Sequence, residues 1–151
     1  MVSSERVLAA PPDAIFAVLA DASRHIEIDG SGQLRGVKPD APERLALGST
    51  FGMSMHLGAR YSMTNTVIEF EEDRRIAWQA TLAGFLGRFL GGRIWRYELE
   101  PVDGGTRVRE SWDISRDHQR RFLRHDKVAE ATRVNLEKSL ARLDELTAPA
   151  A

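Results

Sequence analysis

Three polar side chains, Tyr61, Asn65 and Glu110, fall where a strand pattern would bury them. Glu110 shares its phase with Val108, Trp112 and Ile114, so the strand face that turns those apolar groups inward turns the carboxyl inward with them. Asn65 runs in phase with Tyr61, Met63 and Val67, on a strand that carries apolar residues on both faces. Burying a carboxyl or amide without a partner is costly, and a cavity gives such a group a reason to exist. A hydroxyl, an amide and a carboxyl together can orient an oxygenated ligand or move a proton. A salt bridge from Glu110 to Arg96 or Arg109 is the competing expectation. His25 and Asp29 lie four apart in a short helical segment, which places both on one face. A histidine beside a carboxylate can act as a base near neutral pH, although Asp29 reads equally as a cap or turn residue before Gly30. The candidate catalytic set is therefore Glu110, His25 and Tyr61.

Other chemistries are excluded or weakly supported. The chain has no cysteine, hence no disulfide, thiolate nucleophile or thiolate metal site, and His56, His118 and His125 share no metal-ligand spacing with nearby carboxylates. No metal and no cofactor are expected. The glycine-rich stretch Gly84 to Gly92 lacks the Lys-Ser/Thr ending of a phosphate-binding loop, but it offers Phe85, Leu86, Phe89 and Leu90 as an apolar gate, a lipid-touching edge or a dimer edge. With 21 Lys and Arg against 22 Asp and Glu, the net charge of −1 names no nucleic-acid partner. The basic run Arg116 to Lys127 reads as a solvated helix start. No run approaches the ~18 apolar residues of a membrane span, and the first residues lack a targeting pattern, so a cytoplasmic location is expected.

The elements that must position these groups follow from periodicity. A strand is expected at Val2 to Ala9, a helix at Pro12 to Ala20, a second short helix at Asp21 to Ile28, and a strand at Gln33 to Val37. From Thr50 the period becomes two, and strands are expected at Thr50 to Leu57, Tyr61 to Phe70, Arg75 to Leu82, Arg93 to Glu100 and Thr106 to Ile114. Val128, Thr132, Leu136, Leu140 and Leu143 then form one stripe of a helix from Lys127 to Thr147, long enough at ~30 Å to cross the sheet. One domain over residues 1–147 is expected, with Ala148 to Ala151 a frayed tail. Alternation turns Phe51, Met53 and Met55, then Trp78, then Trp95 and Tyr97, then Trp112 to one face, a lining suited to a flat apolar ligand unless it simply packs against the last helix.

Four phrases, APPDAIFAVLAD at Ala10 to Asp21, RHIEIDGSG at Arg24 to Gly32, TVIEFEEDRRIAW at Thr66 to Trp78 and YELEPVDGGTRVRESWD at Tyr97 to Asp113, resemble the START-like or Bet v 1-like (SRPBCC) superfamily, in particular its polyketide cyclase and dehydrase proteins. The resemblance covers nearly the whole chain and carries no catalytic signature. It implies an α+β helix-grip fold, a curved seven-stranded antiparallel sheet closing over a long C-terminal helix to leave a cavity. The expected ligand-binding residues are Phe51, Met53, Met55, Asn65, Trp78, Trp95, Tyr97, Trp112, Phe85 and Asp29. A binder of a hydrophobic or aromatic small molecule is the first expectation. A cyclase or dehydrase acting in the same cavity is the second, and an interaction module or homodimer, working through the Phe85 to Leu90 loop, the third.

Overall fold

Alternating side chains along residues 50–113 build four successive hairpins, and the computed structural model, which describes residues 1–150, closes them into one sheet. Its strands are β1 (Val2–Leu8), β2 (Leu34–Val37), β3 (Thr50–Leu57), β4 (Ala59–Glu71), β5 (Arg75–Leu82), β6 (Gly91–Val102) and β7 (Gly105–Asp113). All neighbours are antiparallel, in the order β1-β7-β6-β5-β4-β3-β2. Register shifts between Val67 and Glu69 and between Ala80 and Thr81 add residues to one strand of a pair and bend the sheet. The connection from β3 to β4 is as short as it can be because Gly58 takes φ 69°, a conformation that costs other residues a steric penalty.

The helices are α1 (Pro12–Leu19), α2 (His25–Ile28), α3 (Arg120–Leu123) and α4 (Asp126–Thr147). Pro12 opens α1, where its missing N–H costs nothing, and α1 buries Ile15, Phe16, Val18 and Leu19. The expected helix at Asp21 to Ile28 is divided into a 3-10 turn, Ala22–Arg24, and α2. It stops before Asp29, whose ψ of 108° is extended, because the Asp29 carboxylate accepts from the Ser31 and Leu34 amides and the Ser31 hydroxyl instead. The expected loop Ala83 to Gly92 holds a 3-10 turn at Phe85–Arg88, and the basic run is broken between α3 and α4, with His125 Nδ1 capping α4 by accepting from the Lys127 amide. Of the expected frayed tail, Ala151 lies outside the described residues.

Helix α4 divides its labour along its length. Leu140 and Leu143 join Leu8, Ile15, Phe16, Leu19, Ile76 and Val108 in the packed core. One turn earlier, Gly30 lets the chain after α2 touch the helix: its amide donates to Ser139 Oγ at 3.0 Å, and a β-carbon there would lie 2.1 Å from the Asn135 carbonyl. The N-terminal half stands clear of the core and roofs open space. The opposite, convex face of the sheet carries a charge ladder in which Arg96 pairs with Glu69 at 2.7 Å, Arg75 with Glu98 at 3.1 Å and Arg109 with Glu5 at 2.9 Å.

Candidate ligand pocket

Cross-strand register sets Tyr97 opposite Glu110, and the Tyr97 hydroxyl donates to Glu110 Oε1 at 2.7 Å. The two arginines that compete for Glu110 in the sequence lie on the other face and pair with Glu69 and Glu5, so no cation reaches this carboxyl. Glu110 is 2 % exposed, and its second oxygen, Oε2, has no partner. Burial pushes its pKa up to about 8, against the opposing pull of the Tyr97 hydrogen bond, with the charge of Asp29 adding a smaller push. The carboxyl is thus largely a neutral acid at pH 7, and such a group can donate a hydrogen bond. Burial and the neighbouring carboxyl also push Tyr97 well above the usual phenol range.

His25 stands on the same wall. Its ring stacks on Trp78 at 4.7 Å, and the Tyr97 ring lies 5.8 Å from the same indole. The Nε2–H donates to the Leu19 carbonyl at 2.9 Å, which makes Nδ1 the acceptor of a neutral imidazole, and Nδ1 has no partner. Burial lowers the pKa of His25, while the Leu19 carbonyl and Asp21 oppose it. Glu110 Oε2 and His25 Nδ1 are the two buried side-chain polar atoms left without a partner among the described residues. Both belong to residues bordering one pocket.

That pocket, about 700 Å³, lies between the concave face of the sheet and the N-terminal half of α4. Met53 and Met55 from β3, Tyr61 and Asn65 from β4, Trp78, Trp95 and Trp112 line it together with Tyr97, Glu110 and His25. Tyr61, Asn65 and Glu110 share the wall without meeting. Tyr61 donates to Gln33 Oε1 at 3.0 Å, Asn65 Nδ2 to the Phe51 carbonyl at 3.4 Å, and Glu110 bonds Tyr97. Two residues of the expected ligand-binding set, Phe51 and Phe85, lie off this wall. Phe51 is packed behind the wall, edge-on to His25 and Trp78, because its side chain fills the core under α2. Phe85 points to solvent at 72 % exposure on its 3-10 turn, and Leu90, at the end of the same loop, takes the place on the wall. Asp29 borders the pocket but is committed to its turn and does not pair with His25.

Sequence reasoning passed over Gln33, Arg93, Asn135 and Ser139, all on the wall. Arg93 shares the phase of Trp95 and Tyr97, and Asn135 and Ser139 follow Thr132 at helical spacing, so the signal was there in both cases. Gln33 had no such signal, since it precedes a four-residue strand. Arg93 is held by the fully buried Asp117 at 3.0 Å. Among the described residues, no group of three His, Cys, Asp or Glu is placed to hold a metal ion, and no helix is long and apolar enough to cross a membrane.

Comparison with known proteins bears on this arrangement. The family described as polyketide cyclase / dehydrase and lipid transport matches residues 1–147. The uncharacterized protein Rv0088 of Mycobacterium tuberculosis is 31 % identical over 150 residues, and the chain spans only 62 % of that relative's length while 95 % of its own is covered. Among solved structures, protein MLL2253 of Mesorhizobium loti superposes with TM-score 0.68 at 19 % identity, covering 96 % of this chain and 94 % of that one. The AHSA1 protein of Silicibacter pomeroyi gives 0.68 at 19 %, covering 96 % and 95 %. Major latex-like protein 151 of Panax ginseng gives 0.67 at 11 %, covering 98 % and 97 %. At such identities the likeness is one of fold.

Proposed function

The chain belongs to the polyketide cyclase / dehydrase and lipid transport family of the START-like, Bet v 1-like superfamily, and from that premise we propose that it binds an uncharged hydrophobic or aromatic small molecule in the pocket under α4. One observation carries the reading: the two orphaned buried polar atoms, Glu110 Oε2 and His25 Nδ1, sit on residues of the same apolar wall. An orphaned buried group costs about 1 to 3 kcal/mol, and a ligand that satisfies it recovers that cost. A neutral Glu110 offers a donor to a ligand carbonyl, and His25 offers an acceptor to a ligand hydroxyl. A carboxylate brought to the same place could accept from the neutral Glu110 carboxyl, but its charge would lie against the lone pair of His25 in a buried apolar setting.

The test is a matched series read by tryptophan fluorescence, since Trp78, Trp95 and Trp112 all line the pocket. Naphthalene, naphthol, acetylnaphthalene, hydroxyacetylnaphthalene and hydroxynaphthoate differ only in their polar groups. Each satisfied orphan should tighten binding about tenfold over naphthalene. The anionic naphthoate should bind more weakly than the ketone. His25→Phe should remove the advantage of the hydroxyl and Glu110→Leu that of the ketone. Saturable quenching by none of the five refutes the binding reading. Equal affinity across the series refutes the roles of Glu110 and His25 and leaves the pocket.

A second reading, an enzyme of the cyclase or dehydrase kind, draws support from the same carboxyl, because a group held near neutral pH can exchange a proton with a bound enol. Glu110→Gln should then abolish turnover of a polyketide-like substrate with affinity largely kept, while His25→Ala and Tyr61→Phe slow it less. A pure binder has no turnover to lose.

A further inference from the structure

One end of the sheet gathers the tight turn at Gly58, the loop from β5 to β6 and the exit of β7 into α3, because the meander returns the chain there at every second connection. The contact is direct: the His118 amide donates to the Gly91 carbonyl at 3.0 Å, and Arg93 holds Asp117. Leu57, Leu90, Leu123 and Lys127, one from each piece of this end and the start of α4, all line the pocket.

Five large apolar side chains of this end face water: Leu57 (67 % exposed), Phe85 (72 %), Leu86 (54 %), Phe89 (60 %) and Phe122 (83 %). These are half of the large apolar side chains the described chain exposes, brought together from three separate segments. The same segments and the start of α4 carry Arg60, Arg88, Arg120, Arg121, Arg124 and Lys127, all exposed and none in an ion pair, and Arg88 lies over the Phe85 ring at 5.9 Å. The contrast is with the convex face of the sheet, where arginine is matched to carboxylate strand by strand. Asp126 is the exposed acid among them, and Asp117 is buried under Arg93. Among the described residues, six of the eleven Lys and Arg side chains outside any ion pair thus belong to this apolar end, the others being Arg35, Lys38, Arg116, Lys138 and Arg142.

We propose that this end docks on an anionic lipid bilayer, the aromatic and leucine tips entering the headgroup layer and the six cations contacting lipid phosphates. Apolar tips ringed by cations match an interface that is apolar inside and negative outside. A second copy of the chain fits worse, since a two-fold dimer would bring the six cations against their own images. Nucleic acid would gain the cations but has no stacking use for Leu57 and Leu86. Docking here would set the pocket wall at Leu57, Leu90 and Leu123 against the bilayer, yet the proposal does not require that any ligand bind.

The experiment is co-sedimentation of the full chain with vesicles of mixed phosphatidylglycerol and phosphatidylcholine against vesicles of phosphatidylcholine alone. Retention by the anionic vesicles alone, weakening as salt rises, is expected. Each of Arg120→Glu, Arg121→Glu and Arg124→Glu should weaken it by about fivefold or more. Phe85→Ser with Phe89→Ser and Phe122→Ser should abolish it while the thermal melt stays where it was, because these side chains are already in solvent. No retention, retention indifferent to lipid charge, or variants that bind like the parent overturn the proposal. So does a concentration-dependent dimer lost in the same variants, or tighter capture by an oligonucleotide that competes the vesicles away.

Discussion

Glu110 is destabilising by position, and pH exposes this. Its folded pKa of about 8 lies above its ordinary value of 4.5, so the contribution it makes to stability is intact below about pH 4.5, falls as pH rises, and is fully lost above about pH 8. A shift of that size is worth on the order of 5 kcal/mol. Glu110→Gln keeps the acceptor for Tyr97 and cannot ionise. The variant should gain stability over the parent through that window and hold a constant lead above it, with urea unfolding at a series of pH values as the measurement. His25 has the opposite sign, its neutral form favoured on folding, but it is present in both proteins and drops out of the difference. A lead that does not change with pH would mean that Glu110 is ionised in the fold. Strand alternation was enough to turn this carboxyl inward. Its Tyr97 partner was out of reach, because pairing depends on hairpin register, and the two arginines with a claim on it are on strand positions of the outer face. The four-residue spacing of His25 and Asp29 misled for a similar reason: spacing places two residues on one helical face only if the helix includes both, and Asp29 ends it.

At the scale of elements, period gave the strands and the long helix nearly to the residue, since β3 and β5 run as expected and α4 gains only Asp126. What period could not give is that α4 does two jobs, because Val128, Thr132, Leu136, Leu140 and Leu143 form one continuous stripe. The bend of the sheet, set by bulges that leave no mark in the pattern, brings it against the C-terminal half of the helix and away from the rest. Leu136 and Leu140 test the division, each 1 % exposed and one turn apart. Leu140→Ala opens a hole in packed core and should cost about 2 to 5 kcal/mol. Leu136→Ala enlarges space that already exists, so little new cavity is created and the loss should sit at or below the low end of that range. Equal losses in urea unfolding would mean that α4 grips uniformly, and a loss under about 0.5 kcal/mol at Leu140 that it does not grip at all.

Across the whole molecule the pocket is the common possession of the fold. Its wall takes residues from α2, α3, α4 and every strand from β2 to β7, leaving out only β1 and α1. A ligand held there touches elements far apart in sequence, so its binding energy should add to the stability of all of them at once and leave a single cooperative transition. Mass action sets the amount: free ligand at one hundred times its dissociation constant adds about 2.7 kcal/mol to a protein that binds it only when folded. For a chain of this length each kcal/mol moves the midpoint by roughly 2 to 4 °C. Saturating hydroxyacetylnaphthalene should therefore raise Tm by about 5 to 10 °C, against a smaller rise with naphthalene at the same concentration. The Leu136→Ala protein, with its wider pocket, should keep part of that rise, since the orphaned atoms of Glu110 and His25 remain. Fluorescence quenching that saturates while Tm stays fixed would place the dye somewhere other than this interior, on the exposed Phe85 and Phe89 end before anywhere else. Loss of the quenching in the Phe85→Ser, Phe89→Ser and Phe122→Ser protein would then confirm that location and remove the pocket as the binding site.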